Sequence, residues 1–326
     1  MSVRNGLTWL AGSALALSAL AGCSSAPAQT SQSAASSTVS SESTASSTAA
    51  ANDSDLRVLC PMGAPALASL GLAENGANIE YVEGQDLLVS ELSKKDSEYD
   101  MIIAPVNLGV KTWSESQAYQ LDGILTWGNL YIVSPNEDWN TPDTTLAAFG
   151  ENAVPGMVFS NLYPDVAANV EYYPSVAEAS TALLSGKASA AMLAQPAAAG
   201  AIAKAGANGT ELSIAEDLQS VWSTSHETEN NGYPQAALFI KNGAGDKYRQ
   251  YVQQIEDYIN AATPEKVEAS VDAYSAERLG VPNAKIAGQT WPQQNIKYVK
   301  ASEAQSDLQV FLDTFGITIP EGLIAE

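Results

Sequence analysis

Apolar and polar positions alternate along this chain in a repeating strand-then-helix order. Residues 56–60 form a short apolar run that reads as a buried strand, and Pro61-Met62-Gly63-Ala64-Pro65 breaks it. A helix through 72 follows. A strand at 79–82, helical spacing over 85–95 at Leu87, Leu88 and Leu92, and strands at 100–104 and 130–133 continue the pattern. It then starts again. Residues 141–149 read as a short helix, with Thr141 as N-cap ahead of Pro142. Residues 154–159 read as a strand leading into a loop at Ser160-Asn161-Leu162-Tyr163-Pro164. A strand at 170–173 precedes a helix opened by Ser175 with Glu178 three residues on, a capping box, and closed at Gly186. A strand at 188–193, a helix over 196–207, a strand at 236–240 and an amphipathic helix over 248–261 complete the series. Thr263-Pro264-Glu265 opens the next helix. Strands that alternate with helices predict α/β architecture with mainly parallel sheets. The restart after residue 131 predicts two lobes: 54–131 with 244–326, and 132–243 inserted between. Ligands of open α/β sheets bind at the carboxyl ends of strands, so two facing lobes would enclose a cleft.

Two earlier segments do not follow this pattern. Arg4 precedes an apolar run over 7–20, which is shorter than the roughly 20 residues a membrane span needs and fits the core of a secretory signal. The run ends in Leu20-Ala21-Gly22-Cys23, which resembles the bacterial lipobox. Small residues at 21 and 22 admit a peptidase, and the Cys23 thiol would take lipid and hold the mature chain at a membrane surface. The expected leader is 1–22. Residues 23–53 are mostly Ser, Ala, Thr and Gln, without periodicity, and are expected to form a tether.

Charge and residue chemistry narrow the picture. Fifteen Lys and Arg stand against 37 Asp and Glu, a formal net charge of −22, which argues against nucleic-acid binding. If Cys23 carries lipid, Cys60 has no disulfide partner, and its apolar surroundings predict a buried thiol. The single histidine, His226, lies in a polar run with Glu227 and Glu229, which reads as a solvated surface feature ahead of a metal site. The chain has no G-x-S-x-G elbow, P-loop or G-x-G-x-x-G run. No catalytic role, cofactor or metal is expected. The arginines Arg57, Arg249 and Arg278 sit at strand starts or on helices, so no bidentate carboxylate or phosphate clamp is visible.

Three stretches carry a family resemblance that covers roughly residues 55–326. Ser185-Gly186-Lys187-Ala188-Ser189-Ala190-Ala191-Met192-Leu193-Ala194-Gln195-Pro196 is similar to a helix–Gly–strand–polar-Pro element of the extracytoplasmic solute-binding proteins of ABC importers. The nearest group binds nitrate, sulfonates, taurine and thiamine precursors. Asn231-Gly232-Tyr233-Pro234-Gln235-Ala236-Ala237-Leu238-Phe239-Ile240 resembles that group's returning strand. The tail from Val281-Pro282 through Asn295-Ile296-Lys297-Tyr298-Val299 to the helix near Phe311 resembles the C-terminal part of some members. Members often carry Asp where Ser189 stands, so that position is given no role.

The resemblance implies a two-lobed periplasmic-binding-protein fold of type II-like form, closing on a small solute and delivering it to an ABC permease. A monomer held at the membrane through acylated Cys23, outside the cytoplasm, is the expected form. Small-molecule enzymes share the fold, and a sensor lipoprotein is the other alternative; the leader and lipobox argue against an enzyme of the cell interior. Carried over position by position, the implied solute contacts are Met62, Gly63, Ala64, Asn107, Thr126, Trp127, Ser160, Asn161, Gln195 and Tyr233. Gly63 and Ala64 would open a helix whose free N–H groups attract an anion or carbonyl. Asn107, Asn161 and Gln195 donate and accept. Trp127 would stack on a ring, and Tyr163 and Tyr233 would line the rim. These residue types suit a flat heterocycle as well as a small oxyanion.

Overall fold

The structure, a computed structural model, describes residues 55–325. The expected leader, Cys23 and the tether lie outside the described residues. The chain opens with β1 (Arg57–Pro61), α1 (Ala64–Ala68), α2 (Leu70–Glu74), β2 (Asn78–Val82), α3 (Asp86–Leu92), β3 (Met101–Pro105), α4 (Val106–Ser116) and β4 (Tyr119–Thr126). Next come β5 (Leu130–Ser134), β6 (Thr145–Phe149), α5 (Val154–Leu162), β7 (Asn169–Tyr173), α6 (Val176–Leu184), β8 (Ala190–Ala194), α7 (Ala197–Ala207), β9 (Ser213–Asp217) and α8 (Leu218–His226). The last part contains β10 (Ala236–Lys241), α9 (Gly245–Ala261), α10 (Pro264–Tyr274), α11 (Ala276–Leu279), α12 (Ala284–Gln289), β11 (Ile296–Lys300) and α13 (Gln305–Asp313).

These strands form two sheets, ordered β2-β1-β3-β10-β4-β11 and β7-β6-β8-β5-β9. Both follow one plan. Three strands run parallel in the order second, first, third, and a fourth runs the same way beyond an inserted antiparallel strand. The inserted strand is β10 in the first sheet and β5 in the second. Each one starts where the chain has just crossed between the sheets. The first crossover is 127–129 and the second is 227–235. Strand pairing therefore places the second crossover ahead of β10, not at 243, and assigns β10 to the first lobe.

The inserted strands also fix which sheet ends meet. Leu130 opposes Ala194, the last residue of β8, and Ala236 opposes Pro105 and Thr126, the last residues of β3 and β4. The carboxyl ends of the parallel strands in both lobes thus converge on the crossovers, as the α/β pattern predicts.

The central strands of each sheet, β1, β3 and β10 in the first and β8 and β5 in the second, are buried on both faces, as their apolar runs require. One apolar cluster covers the outer face of the first sheet beneath α1, α2, α9, α10 and α12. A second covers the second sheet beneath α6 and α7. The third runs through both lobes and joins them at the crossovers through Trp127, Trp222, Tyr233 and Phe311. Tyr233 stacks on Phe311 with ring centroids 5.8 Å apart, and Trp222 lies 5.4 Å from Tyr233. Each such pair adds about 0.5–1.5 kcal/mol beyond area burial.

Several local expectations hold. The Ser175 hydroxyl accepts from the Glu178 N–H, and Thr263 caps α10 with Pro264 in its first turn. The apolar stripe of α9 buries Ile255, Tyr258 and Ile259 on the first lobe. Cys60 is fully buried in β1, and burial pushes its thiol pKa well above the ordinary value.

Two expectations around residue 150 are reversed. Residues 141–144 form a turn, closed by the Thr144 N–H donating to the Thr141 carbonyl, and 145–149 are strand β6. Residues 154–162 are helix α5. Both segments are short apolar runs, for which spacing does not separate a covered strand from a buried helix. Pro155 in the first turn of α5 and Gly156 against the Gly150 carbonyl settle the helix; a Cβ at 156 would lie 2.4 Å from that oxygen. Residues 296–300, including Tyr298, form strand β11, which pairs antiparallel with β4 at the edge of the first sheet. The predicted helix through 72 is broken at Ser69 into α1 and α2.

Candidate functional site

The converging strand ends bring side-chain amides to one junction. Asn107 lies in the first turn of α4, directly after β3, and is 6% exposed. Gln235 precedes β10; its carbonyl accepts from the Val106 N–H at 3.1 Å and its N–H donates to the Thr126 carbonyl at 2.9 Å. Asn129 precedes β5 and is 2% exposed. Its Nδ2 donates to the Gln195 carbonyl at 2.8 Å, while the Gln195 N–H donates to the Asn129 carbonyl at 2.9 Å. Gln195 follows β8, is buried, and uses its Oε1 to accept from the Ala199 N–H at the start of α7. The side-chain oxygens of Asn107, Asn129 and Gln235 are buried and meet no hydrogen-bond donor. The Tyr233 hydroxyl and the Trp222 indole N–H, at the same crossovers, are buried and unpaired as well, although buried polar atoms are nearly always paired.

The remaining expected contacts divide into three groups. Met62 and Gly63 follow β1 at the same ends of the strands, with Ala64 opening α1. The Gly63 N–H is already donated to the Leu279 carbonyl at 2.8 Å, Pro65 has none, and α1 is one turn long, so little of the expected helix-end field is free. Thr126, Trp127 and Tyr233 are fully buried in the crossovers. The Thr126 hydroxyl accepts from the Ala236 N–H, and the Trp127 Nε1–H donates to the Lys297 carbonyl with the Lys297 ammonium 4.6 Å from the indole ring. Burial pulls the Lys297 pKa below its ordinary value, with nearby Asp307 opposing.

Ser160 and Asn161 lie elsewhere. They are exposed on the last turn of α5, which runs back from the end of β6 to the start of the parallel strand β7. The expected placement beside the strand carboxyl ends came from taking α5 for a strand; the loop at that end of β6 is 150–153. Asn161 instead joins His226, whose Nε2 lies 2.8 Å from its Oδ1 and whose ring packs against Trp222 with centroids 4.1 Å apart and planes tilted by 41°. Burial holds the His226 pKa below the usual 6.5. A histidine depressed on folding contributes fully to stability above the unfolded value, and loses that contribution as pH falls through the lower folded value. As the chain's single histidine, it gives one imidazole Cε1–H resonance by NMR. That resonance should titrate with a midpoint below 6.5, and a midpoint at or above 6.5 would refute the packing described. Among the described residues, no group of three His, Cys, Asp or Glu side chains is placed to hold a metal ion.

Apart from Trp127 and Tyr233, sequence reasoning did not single out the residues that fix the crossovers to each other. The Tyr233 N–H donates to the Trp127 carbonyl at 3.2 Å. Asn295, at φ +50°, donates from Nδ2 to the carbonyls of Trp127 (2.7 Å) and Asn231 (2.9 Å), and its own carbonyl accepts from the Trp127 N–H. Gly232, at φ +96°, lets the second crossover pass against the Trp127 carbonyl. Asp307, 2% exposed on α13, accepts from the N–H groups of Glu229 and Asn230 and from the Asn230 side chain. Lys297 donates to the Asn230 Oδ1 at 2.8 Å. The run at 231–240 was read only as resembling a returning strand, although its Asn231-Gly232 pair is a turn signal; Asn295 and Asp307 carry none. Open surface cavities of about 580 and 640 Å3 lie away from this junction, along α13 and the C-terminal tail and beside the start of α9.

No protein-family model matches the chain, and no curated protein matches it. Solved structures do. An ABC transporter protein from Parabacteroides distasonis aligns with a TM-score of 0.69 at 20% identity, over 84% of this chain and 99% of that one. The periplasmic aliphatic sulphonate-binding protein from Escherichia coli aligns at 0.55 and 14%, over 83% and 92%. The zinc-bound ligand-binding component of an ABC-type import system from Staphylococcus aureus aligns at 0.54 and 13%, over 83% and 96%. At these identities the likeness is one of fold: two α/β lobes joined by crossovers, the architecture of extracytoplasmic binding proteins.

Proposed function

We propose that this chain is the lipid-anchored, solute-binding component of an ABC importer, held outside the cytoplasmic membrane through Cys23. The observation that carries the reading is the junction itself. Two lobes of one topology turn the carboxyl ends of their parallel strands toward shared crossovers, and the buried side-chain oxygens of Asn107, Asn129 and Gln235 there have no donor in the chain. Solute capture needs only a closed form with higher affinity than the open form, and no chemical step. Asn107, Asn129, Gln195 and Gln235 contact the solute, with the loop at Met62, Gly63 and Ala64 at the rim. Thr126, Trp127 and Tyr233 serve as hinge residues that carry the lobes between open and closed states. The fold of the neighbouring transport proteins supports the role, and the lipobox at Leu20-Ala21-Gly22-Cys23 supports the anchor. A membrane permease would read the closed form.

Two measurements test this. The full chain expressed in a bacterium should incorporate an alkyne fatty acid and sediment with membranes, and Cys23→Ala should abolish both; labelling that survives Cys23→Ala refutes the anchor. Native mass spectrometry of chain refolded from denaturant, to strip any carried ligand, should show a one-to-one adduct after exposure to a small-molecule cell extract. A chain that stays adduct-free is not a solute-capture protein.

A further inference from the structure

We infer that residues 279–282 of the first lobe form a clasp that closes on Gly200 of the second lobe and holds the solute in; this rests on the capture reading above. The two faces of the sheets differ in how the lobes meet. On one face a single apolar cluster runs from lobe to lobe, through Leu59, Ile102 and Phe239 of the first sheet and Ile132, Leu146 and Met192 of the second. On the opposite face the alternate residues of the strands belong to two separate clusters, one in each lobe. Lobes that share a core along one face hinge there and part along the other.

Two contacts cross between the lobes on that second face. Tyr131, two residues before Val133 on β5, donates its hydroxyl to the Gln293 carbonyl at 2.6 Å. Gly200, near the start of α7, lies against Pro282: a Cβ added there would be 3.0 Å from the proline Cγ and 3.3 Å from its Cβ. The first lobe holds Pro282 in place. Val281 is buried in its outer cluster, the Leu279 carbonyl accepts from the Gly63 N–H at 2.8 Å, and a Cβ at Gly280 would lie 2.5 Å from the Met62 Cβ. Residues 279–282 therefore stand between the rim loop of one lobe and α7 of the other. Ala197, Ala198, Ala199 and Ala201 surround Gly200, and alanine in its place would favour the helix by about 1 kcal/mol. The bare backbone is what lets Pro282 approach. Gly206, in the same helix, has nothing within 4 Å of an added Cβ.

The test is an engineered disulfide. Gly200→Cys and Pro282→Cys, introduced with Cys23→Ala into the full chain, bring together two Cβ positions 3.3 Å apart, while Cys60 stays buried. That separation is close to the roughly 3.5–4.5 Å of a disulfide. Reduced, the chain should gain the one-to-one adduct from the small-molecule cell extract and lose it on dialysis. Oxidised after loading, it should retain the adduct about tenfold longer or more; oxidised while empty, it should take none. Gly200→Leu, which props the clasp open, should release the adduct about tenfold faster, and Gly206→Leu should stay within about twofold of the parent. Failure of the disulfide to form overturns the clasp, because the lobes do not meet there. A disulfide that forms and leaves the adduct free to enter and leave also overturns it, and solute capture then stands. A reduced chain that takes no adduct removes capture and the clasp's role together.

Discussion

Gly232→Ala is expected to destabilise the fold by about 3–5 kcal/mol, among the largest effects of any single methyl addition in this chain. Two independent costs coincide. The residue sits at φ +96°, where a side chain meets its own backbone. A Cβ there would also lie 1.9 Å from the Trp127 carbonyl oxygen and 2.8 Å from the Asn295 amide. Neither neighbour can yield cheaply. The Trp127 carbonyl accepts from both the Tyr233 N–H and the Asn295 Nδ2, so displacing it undoes the pairing of the crossovers. For a body of this size the loss corresponds to a fall in Tm on the order of 10 °C. Calorimetry of the variant checks it. Gly209→Ala is a suitable control: Gly209 also has positive φ, at +77°, but an added methyl meets nothing within 4 Å. If both variants lose the same stability, backbone strain alone is acting and the close approach of the crossovers is not the cause.

Asp307→Ala is expected to cost about 3 kcal/mol and to loosen one segment in particular. The carboxylate accepts from two backbone N–H groups and one side-chain amide, at 3.0, 3.0 and 2.7 Å. Its removal leaves the donors of Glu229 and Asn230 without a partner and a void beneath the start of α13. Native-state hydrogen exchange should then show faster exchange at 229 and 230, with the strands of both sheets little changed. Uniformly faster exchange through both sheets would mean that Asp307 supports the global fold and not the crossover. Asp307→Asn should recover little, because one acceptor oxygen becomes a donor facing donors.

The lobes were legible in the sequence because the strands that form them are short apolar runs separated by clear breakers. β1 stops at Pro61, β3 at Pro105 and β8 before Pro196, and all three appear where the pattern placed them. The two segments read in reverse, 141–149 as helix and 154–159 as strand, carry their breakers inside them, at Pro142 and at Pro155-Gly156, and their apolar residues are contiguous, so neither period stands out. β4 went unread because Asp122 and Gly123 interrupt it. The structure supplies their reason, since a Cβ at Gly123 would lie 2.4 Å from the Tyr298 ring, and the Tyr298 hydroxyl donates to Asp122 at 2.7 Å. Those partners are some 175 positions away along the chain, out of range of any local pattern. The same holds for the site. Asn107 and Gln195 were named as contacts that the family resemblance implies, and each lies directly after a strand at the junction. Asn129, Gln235 and Asp307 matter only through where the crossovers bring them, which depends on strand order.

That strand order also sets when each lobe can be finished as the chain is made. The second sheet draws all its strands from one continuous stretch, β5 to β9, and is complete once residue 217 is available. The first is not. Its inserted strand, β10, lies between β3 and β4 yet is made only after the whole second lobe, so β3 and β4 have no partner in common until residue 241. The earlier-made lobe is therefore the later to close. Until then it presents the facing edges of β3 and β4 unpaired, the kind of exposed strand edge that favours wrong pairing during synthesis.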